Sequence, residues 1–325
     1  MNPSSTGTAT ATSKTVLSTS QIAARVDPGL VDVVATDGLA QATSAGTGIV
    51  LTSNGEILTN NHVIEGATSL KVTDIGNGRT YTAKVVGYDS THDVAVIQLQ
   101  NASGLTVASL GDSSSVQSGD TVVALGNAGG KGGTPSVASG KVTSLDQSIT
   151  ASDELSGVSE QLTGLIETNA DIQAGDSGGS LVNSYGQVIG MDTAASSGYS
   201  IQSQNGQSQN GQSAEQAYAI PIDSALSIAK QIEAGTTSAT VHIGATAFLG
   251  VGFSPQSGFG GTSGSGATIA EAVSGSPAAK AGLVAGDEVT SVGGTSVSAA
   301  EDVALALVKY HPGDTIAITY TNSSG

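Results

Sequence analysis

The chain has 325 residues, enough for about two domains, and carries 27 Asp and Glu against 10 Lys and Arg, a net charge of −17. Those ten cations are scattered singly, whereas phosphate-rich partners need them clustered, so nucleic-acid binding is excluded. With no Cys and only four dispersed His there is no disulfide, no thiol chemistry and no metal-ligand spacing, and neither metal nor other cofactor is expected.

Residues 1 to about 17 are rich in Ser, Thr and Ala and read as unstructured. The N-terminal stretch MNPSSTGTATATSKTVL has neither a basic segment nor an apolar core, so it is not a signal peptide; the protein is either cytosolic or has lost an upstream leader. No stretch reaches the ~18 apolar residues of a membrane helix. SQIAARV (20–26) predicts a short helix ended by Pro28-Gly29. From about 30 to 222 the pattern is strand, turn, strand. GIVLT and EILTN flank Asn54-Gly55, and LKVTDI and TYTAKVVGY flank Gly76-Asn77-Gly78. DVAVIQL, TVVALGN and VASGKVTSL follow, then SLVNS and QVIGM across Tyr185-Gly186. With three Phe and no Trp, the core must come from Val, Ile, Leu and Ala. So many short strands predict a mainly β fold of barrels or a sandwich.

SIQSQNGQSQNGQS (200–213), which contains SQNGQ twice, reads as a solvated surface loop. IDSALSIAKQIEAG then predicts a helix whose buried face is Ile222, Ala225, Leu226, Ala229 and Ile232, stopped at Gly235. Residues 235–246 read as a linker. Beyond them come FLGVGF, a Gly-rich loop, ATIAEAV, SPAAKAGLVAGDEVTSVGG and a helix in SAAEDVALALVKYHPGD, with Ser298 and Glu301 as its capping box.

Gly175-Asp176-Ser177-Gly178-Gly179 formally satisfies G-x-S-x-G, the nucleophile elbow of α/β-hydrolases. That motif requires a helix after the serine, and here a hairpin pattern follows, so the elbow reading fails. A strand after the nucleophile suits an all-β protease, whose triad runs His, Asp, Ser. Two histidines precede Ser177. His62 ends a strand in LTNNHVIEGA, and His92 adjoins Asp93 in STHDVAVIQL. Neighbouring strand residues face opposite ways, so His92 cannot easily pair with Asp93. The expected pair is therefore His62 and Asp93, with His92 an exposed turn residue.

Taken together, GTGIVLTSNGEILTNNHVI, VVGYDSTHDVAVIQL, GNAGGKGGTP and AGDSGGSLVNSYGQVIGM resemble trypsin-fold serine proteases of the HtrA type, nearest to secreted actinobacterial members. The resemblance covers roughly residues 45–325. It implies a trypsin-like double β-barrel at 29–234, after a flexible segment with a short helix at 1–28, and a PDZ domain (α+β) at 247–325 that lacks its last strand. It further implies a serine endopeptidase acting on unfolded or exported proteins, with His62 as base, Asp93 orienting it, Ser177 as nucleophile and the backbone N–H groups of Gly175 and Ser177 as oxyanion hole. Phe248, Leu249, Gly250 and Val251 match the loop that catches a peptide's C-terminal carboxylate.

The alternative it carries is a protease inactive at rest that binds peptides or acts as a chaperone, with Gln173–Asp176 and the loops near 146–162 and 196–213 needing rearrangement. The resemblance also implies an extracytoplasmic location, secreted or associated with the cell envelope, and is compatible with a trimer. In proteases of this fold the floor of the P1 pocket lies six residues before the serine, at Asp171, where HtrA-type chains usually hold a small apolar residue. Two readings stand: a buried Asp171 that selects Lys or Arg at P1, or a rim residue bonded to a backbone amide with aliphatic P1 preference.

Overall fold

Runs of β-branched residues cut by glycine turns build two closed barrels in the computed structural model, which describes residues 15–37, 42–153, 159–193, 199–203, 208–209, 216–254 and 266–323. The chain enters through α1 (Thr19–Val26), capped by Ser18: its hydroxyl accepts the Gln21 N–H while the Gln21 side chain accepts the Ser18 N–H. The first barrel comprises β1 (Leu30–Asp37), β2 (Ala42–Val50), β3 (Glu56–Thr59), β4 (Ser69–Asp74), β5 (Thr80–Asp89) and β6 (Val94–Leu99), with the one-turn helix α2 (Asn61–Ile64) between β3 and β4. Its strands run in the order β5-β4-β1-β2-β3-β6, and a β5–β6 pairing closes the ring.

The second barrel comprises β7 (Thr121–Gly126), β8 (Ser136–Asp153), β9 (Ser159–Thr168), β10 (Ser180–Asn183), β11 (Val188–Asp192) and, after β12 (Tyr199–Ser203) and β13 (Ser208–Gln209), β14 (Ala217–Pro221). The order β8-β7-β10-β11-β14-β9 closes through β8–β9. The described parts of the 200–213 repeat are strands, since β12 pairs with β8 and with β13; the remainder lies outside the described residues, as do residues 1–14.

Three apolar clusters organise these barrels. One fills the first barrel around Val31, Val33, Ile57 and Ile97, and another fills the second around Val122, Ile166, Leu181 and Ile189. The third joins them, drawing Leu30, Ile49 and Val94 from one barrel and Leu125, Val182 and Met191 from the other. Ile22 and Val26 of α1 seal it, together with α3 (Ile222–Glu233). The buried face of α3 is Ile222, Ala225, Ile228, Ala229 and Ile232, so Ile228 takes the place expected of Leu226, which is only partly buried. Both sets fit one helical face, and α3 packs against strands of both barrels, which widens the buried stripe to Ile228.

The expected linker is partly barrel. Within it β15 (Val241–Ile243) pairs antiparallel with β5, because its alternating apolar residues complete the edge that β5 leaves open. The second unit follows, with β16 (Val251–Phe253), β17 (Ala267–Ala272), α4 (Pro277–Ala281), β18 (Glu288–Val292), β19 (Thr295–Ser296), α5 (Ala300–Leu307) and β20 (Ile318–Thr321) around its own core of Ile269, Val289, Val292 and Val303. β16 is an edge strand. Asp302 Oδ2 accepts the N–H groups of Ser298 and Ala299 and the Ser298 hydroxyl, while the side chain of Glu301, expected as the capping acid, lies outside the described residues. The helix begins one residue later than expected, so its N3 acid also shifts by one. Where the two units meet, buried His242 stacks on His311, ring centroids 4.7 Å apart, and a His311 Nε2–Ile243 carbonyl contact of 2.8 Å spans the joint.

Candidate active site

Asn60 ends β3 in extended conformation and α2 begins at once, which turns His62 out of the sheet towards β6. Asp93 precedes β6 with φ of 54°, a left-handed conformation that Asp tolerates better than most residues. That conformation aims its carboxylate back at α2. Its Oδ1 accepts the His62 backbone N–H at 3.0 Å, and its Oδ2 lies 2.9 Å from His62 Nδ1. The Thr193 hydroxyl donates to the same Oδ2 at 2.9 Å, and the Asn60 amide donates to the Asp93 carbonyl at 2.9 Å. The carboxylate is 1% exposed and the imidazole 15%, so the pair is sheltered with one ring edge open. With Nδ1 held by the carboxylate, Nε2 is the nitrogen left for proton transfer.

Ser177 sits in the turn before β10, across the barrel interface. Its carbonyl accepts the Thr47 N–H of β2 at 2.8 Å. Gly46 shows how tightly the two barrels meet: a Cβ there would lie 2.7 Å from Val63 Cγ2 and 3.0 Å from the Ser177 carbonyl oxygen. The residue beside His62 and the backbone of Ser177 thus press on one point. Gly175 has φ of 95°, and a Cβ on it would lie 2.2 Å from the Asn127 carbonyl oxygen, so only glycine fits this turn.

Thr47, Thr193 and Asn60 were missed in the sequence. Thr47 clamps the serine turn: besides its N–H bond to Ser177, its hydroxyl donates to the Gly175 carbonyl and accepts the Asn127 N–H, each at 2.8 Å, and its carbonyl accepts from Thr59. A threonine in a strand carries no sequence signal for such a role. Thr193 directly follows VIGMD, and no local pattern betrays its reach to Asp93. Thr47→Val should destabilise the fold by about 2–6 kcal/mol, at about 1–3 for each of two buried groups left unbonded, while Thr47→Ser retains most of the stability. Urea melts of the two variants test this, and equal midpoints would rule the clamp out.

His92 is half exposed in its turn, as expected, but it is not idle. Its N–H and Nδ1 meet buried Asp89 at 3.1 and 2.9 Å, and Thr240 also donates to Asp89. Asp171 is exposed and accepts from the Gln173 side-chain amide at 3.1 Å, so of the two readings the buried carboxylate is not met and the placement is that of a rim residue, with a side-chain amide where a backbone amide was expected. The reason is local, since Ala170 and Ile172 turn into the second-barrel core and leave 171 outside. Two other acids are buried here. Asp176 accepts from the Gln173 N–H and the Ser136 hydroxyl, and burial pushes its carboxyl up. Asp192, fully buried at the end of β11, is pushed up further, by burial first and then by the charge of Asp176.

Residues 46–191 match the trypsin-like peptidase domain and residues 247–323 the PDZ domain. Serine protease Do-like HtrA of Lactococcus lactis subsp. lactis (strain IL1403) is 32% identical over 292 residues, covering 88% of this chain and 69% of its own length. The chain belongs to the HtrA-type serine proteases. Serine protease PepD of Mycobacterium tuberculosis (strain ATCC 25618 / H37Rv) is 36% identical over 318 residues, 95% of this chain. The solved HtrA structure "HtrA-type protease AlgWS227A with tripeptide" superposes with a TM-score of 0.54 at 27% identity, covering 94% of this chain and 93% of that one. The chain spans 64% of the length of PepD and 55% of an HhoA-like periplasmic relative from Haemophilus influenzae. Among the described residues no helix is long and apolar enough to cross a membrane.

Proposed function

We propose that the protein is a serine endopeptidase that hydrolyses peptide bonds of unfolded or exported proteins outside the cytoplasm. The observation that carries this reading is the two-point grip of Asp93 on His62, through the backbone N–H and through Nδ1, across the interface from the Ser177 turn. Ser177 Oγ attacks the scissile carbonyl while His62 Nε2 takes its proton. Asp93 holds the tautomer that makes this possible and stabilises the imidazolium. Negative charge on the former carbonyl oxygen is met by the N–H groups of Gly175 and Ser177. Collapse of this intermediate breaks the C–N bond, and His62 returns the proton to the departing amine. Water then attacks the acyl-enzyme with His62 again as base, which releases the carboxylate product and restores Ser177.

The PDZ unit in this reading occupies 247–325 and the protease unit 29–234. The second unit captures C-terminal peptides as an added strand beside edge strand β16, with α5 on the far side of the groove. Phe248, Leu249, Gly250 and Val251 form the carboxylate loop. Its shape is held from behind, since the Leu249 carbonyl accepts from Ala278 and the Gly250 carbonyl from Val273 and Ser276. The extracytoplasmic location draws support from relatives named periplasmic, such as DegQ of Escherichia coli. Treatment with a fluorophosphonate followed by peptide mapping tests the site: the label is expected on Ser177, together with loss of casein cleavage, and a label on any other residue refutes the assignment.

A further inference from the structure

The Asp192 side chain is 0% exposed, and neither of its carboxylate oxygens has a hydrogen-bond partner among the described residues. A lone carboxylate in a dry interior is costly, and native folds keep one only when something pairs with it. Its position says what. The Asp192 N–H donates to the Gly179 carbonyl and the Gly178 N–H donates to the Asp192 carbonyl, so β11 ends directly under the turn that carries Ser177. The next residue, Thr193, turns its hydroxyl to Asp93. Successive strand residues face opposite ways, so Asp192 faces into the second barrel. It shares that face with its cross-strand partner Ala219, which lies in the second-barrel cluster with Ala170, Ile172 and Ala217.

A substrate residue acylating Ser177 must send its side chain to one barrel or the other. On the first-barrel side Gly46 packs directly between Val63 and the Ser177 carbonyl, with no room there for a methyl group. On the second-barrel side the small core residues Ala170, Ala217 and Ala219 lie on the face that Asp192 shares. We propose that Asp192 is a specificity-determining residue whose carboxylate pairs with a cationic P1 side chain, Lys or Arg. This rests on the reading of Ser177 as nucleophile. The net charge of −17 works in the same direction, since it draws cationic peptides to the surface. Burial first, and then the charge of Asp176, pushes the Asp192 carboxyl up, and a neighbouring cation acts in the opposite direction.

Two readouts test the assignment separately from the nucleophile. In a peptide library the full chain should favour Lys and Arg at P1, and Asp192→Asn should lower kcat/KM for P1-Lys peptides about 10²–10³-fold while leaving P1-Leu peptides within a few-fold. Asp171→Asn, a change at an exposed carboxylate, should leave the preference unaltered. Binding of p-aminobenzamidine, an arylamidinium cation, should be retained in Ser177→Ala and lost in Asp192→Asn, with Asp192→Ala as a second variant should the amide misfold. Fluorophosphonate labelling of Ser177 together with preference for Val, Ala or Leu at P1 overturns this inference alone. A preference for basic P1 residues that survives Asp192→Asn, or that is lost in Asp171→Asn, overturns it too. Amidine binding lost on Asp192→Asn without any label on Ser177 would uphold the cation site and sink the nucleophile instead.

Discussion

Ser177→Ala is expected to lower kcat about 10⁶-fold, the loss seen when a triad nucleophile is deleted, while a residual rate above water survives from substrate binding and the oxyanion donors. The change removes one oxygen from a side chain in a turn whose hold on the first barrel is made by backbone. The Ser177 carbonyl still accepts from Thr47, and the Gly178 N–H still donates to Asp192. The melting midpoint should therefore stay close to that of the parent protein, which separates lost chemistry from lost fold. Casein cleavage and urea melts of the same preparation check both halves, and a variant that is stable yet cleaves within tenfold of the parent would remove Ser177 from the mechanism.

Asp93→Asn is expected to cost about 10⁴-fold in kcat. The three groups that meet the carboxylate from α2 and Thr193 are the His62 N–H, His62 Nδ1 and the Thr193 hydroxyl. A carboxylate accepts from all three. An amide has one oxygen, so an NH₂ group must face either the His62 backbone N–H or the position shared by Nδ1 and Thr193. Facing a donor with a donor is unfavourable, and the amide avoids it at Nδ1 only if the ring proton moves to Nε2. That is the wrong tautomer, because Nε2 can no longer accept from Ser177. The loss should lie in kcat with KM little changed, and it should ease at high pH as Ser177 deprotonates by other routes. A pH profile of kcat identical in shape to the parent's would argue that Asp93 has no part in setting the tautomer.

Much of this arrangement was legible in the chain. Asn54-Gly55 and Tyr185-Gly186 mark hairpins because only a few residues accept the backbone angles of tight turns, and both turns separate the strands that the alternation implies. His62 and Asp93 could be paired from the sequence, although strand alternation does not separate His92 from Asp93: both sit in the turn before β6, where His92 meets Asp89 instead. What escaped notice was of another kind. The 241–243 segment resembles a linker in composition, yet it completes a barrel edge. Asp171 looks like a pocket floor from its spacing to Ser177, yet its neighbours Ala170 and Ile172 take the interior and leave it in solvent.

Most strand segments and their turns, the candidate residues for a nucleophile, a base and an acid, and the resemblance to a family of proteases came from the sequence by itself, because periodicity, turn chemistry and motifs are local properties. Which buried hydroxyls hold the site was decided only by the tertiary structure. Thr47 to Gly175 spans 128 positions and Thr193 to Asp93 spans 100, and a threonine has the same local signature whether it caps a strand or clamps a catalytic turn. The same holds for Asp192, an ordinary strand-end acid until the second barrel closes around it.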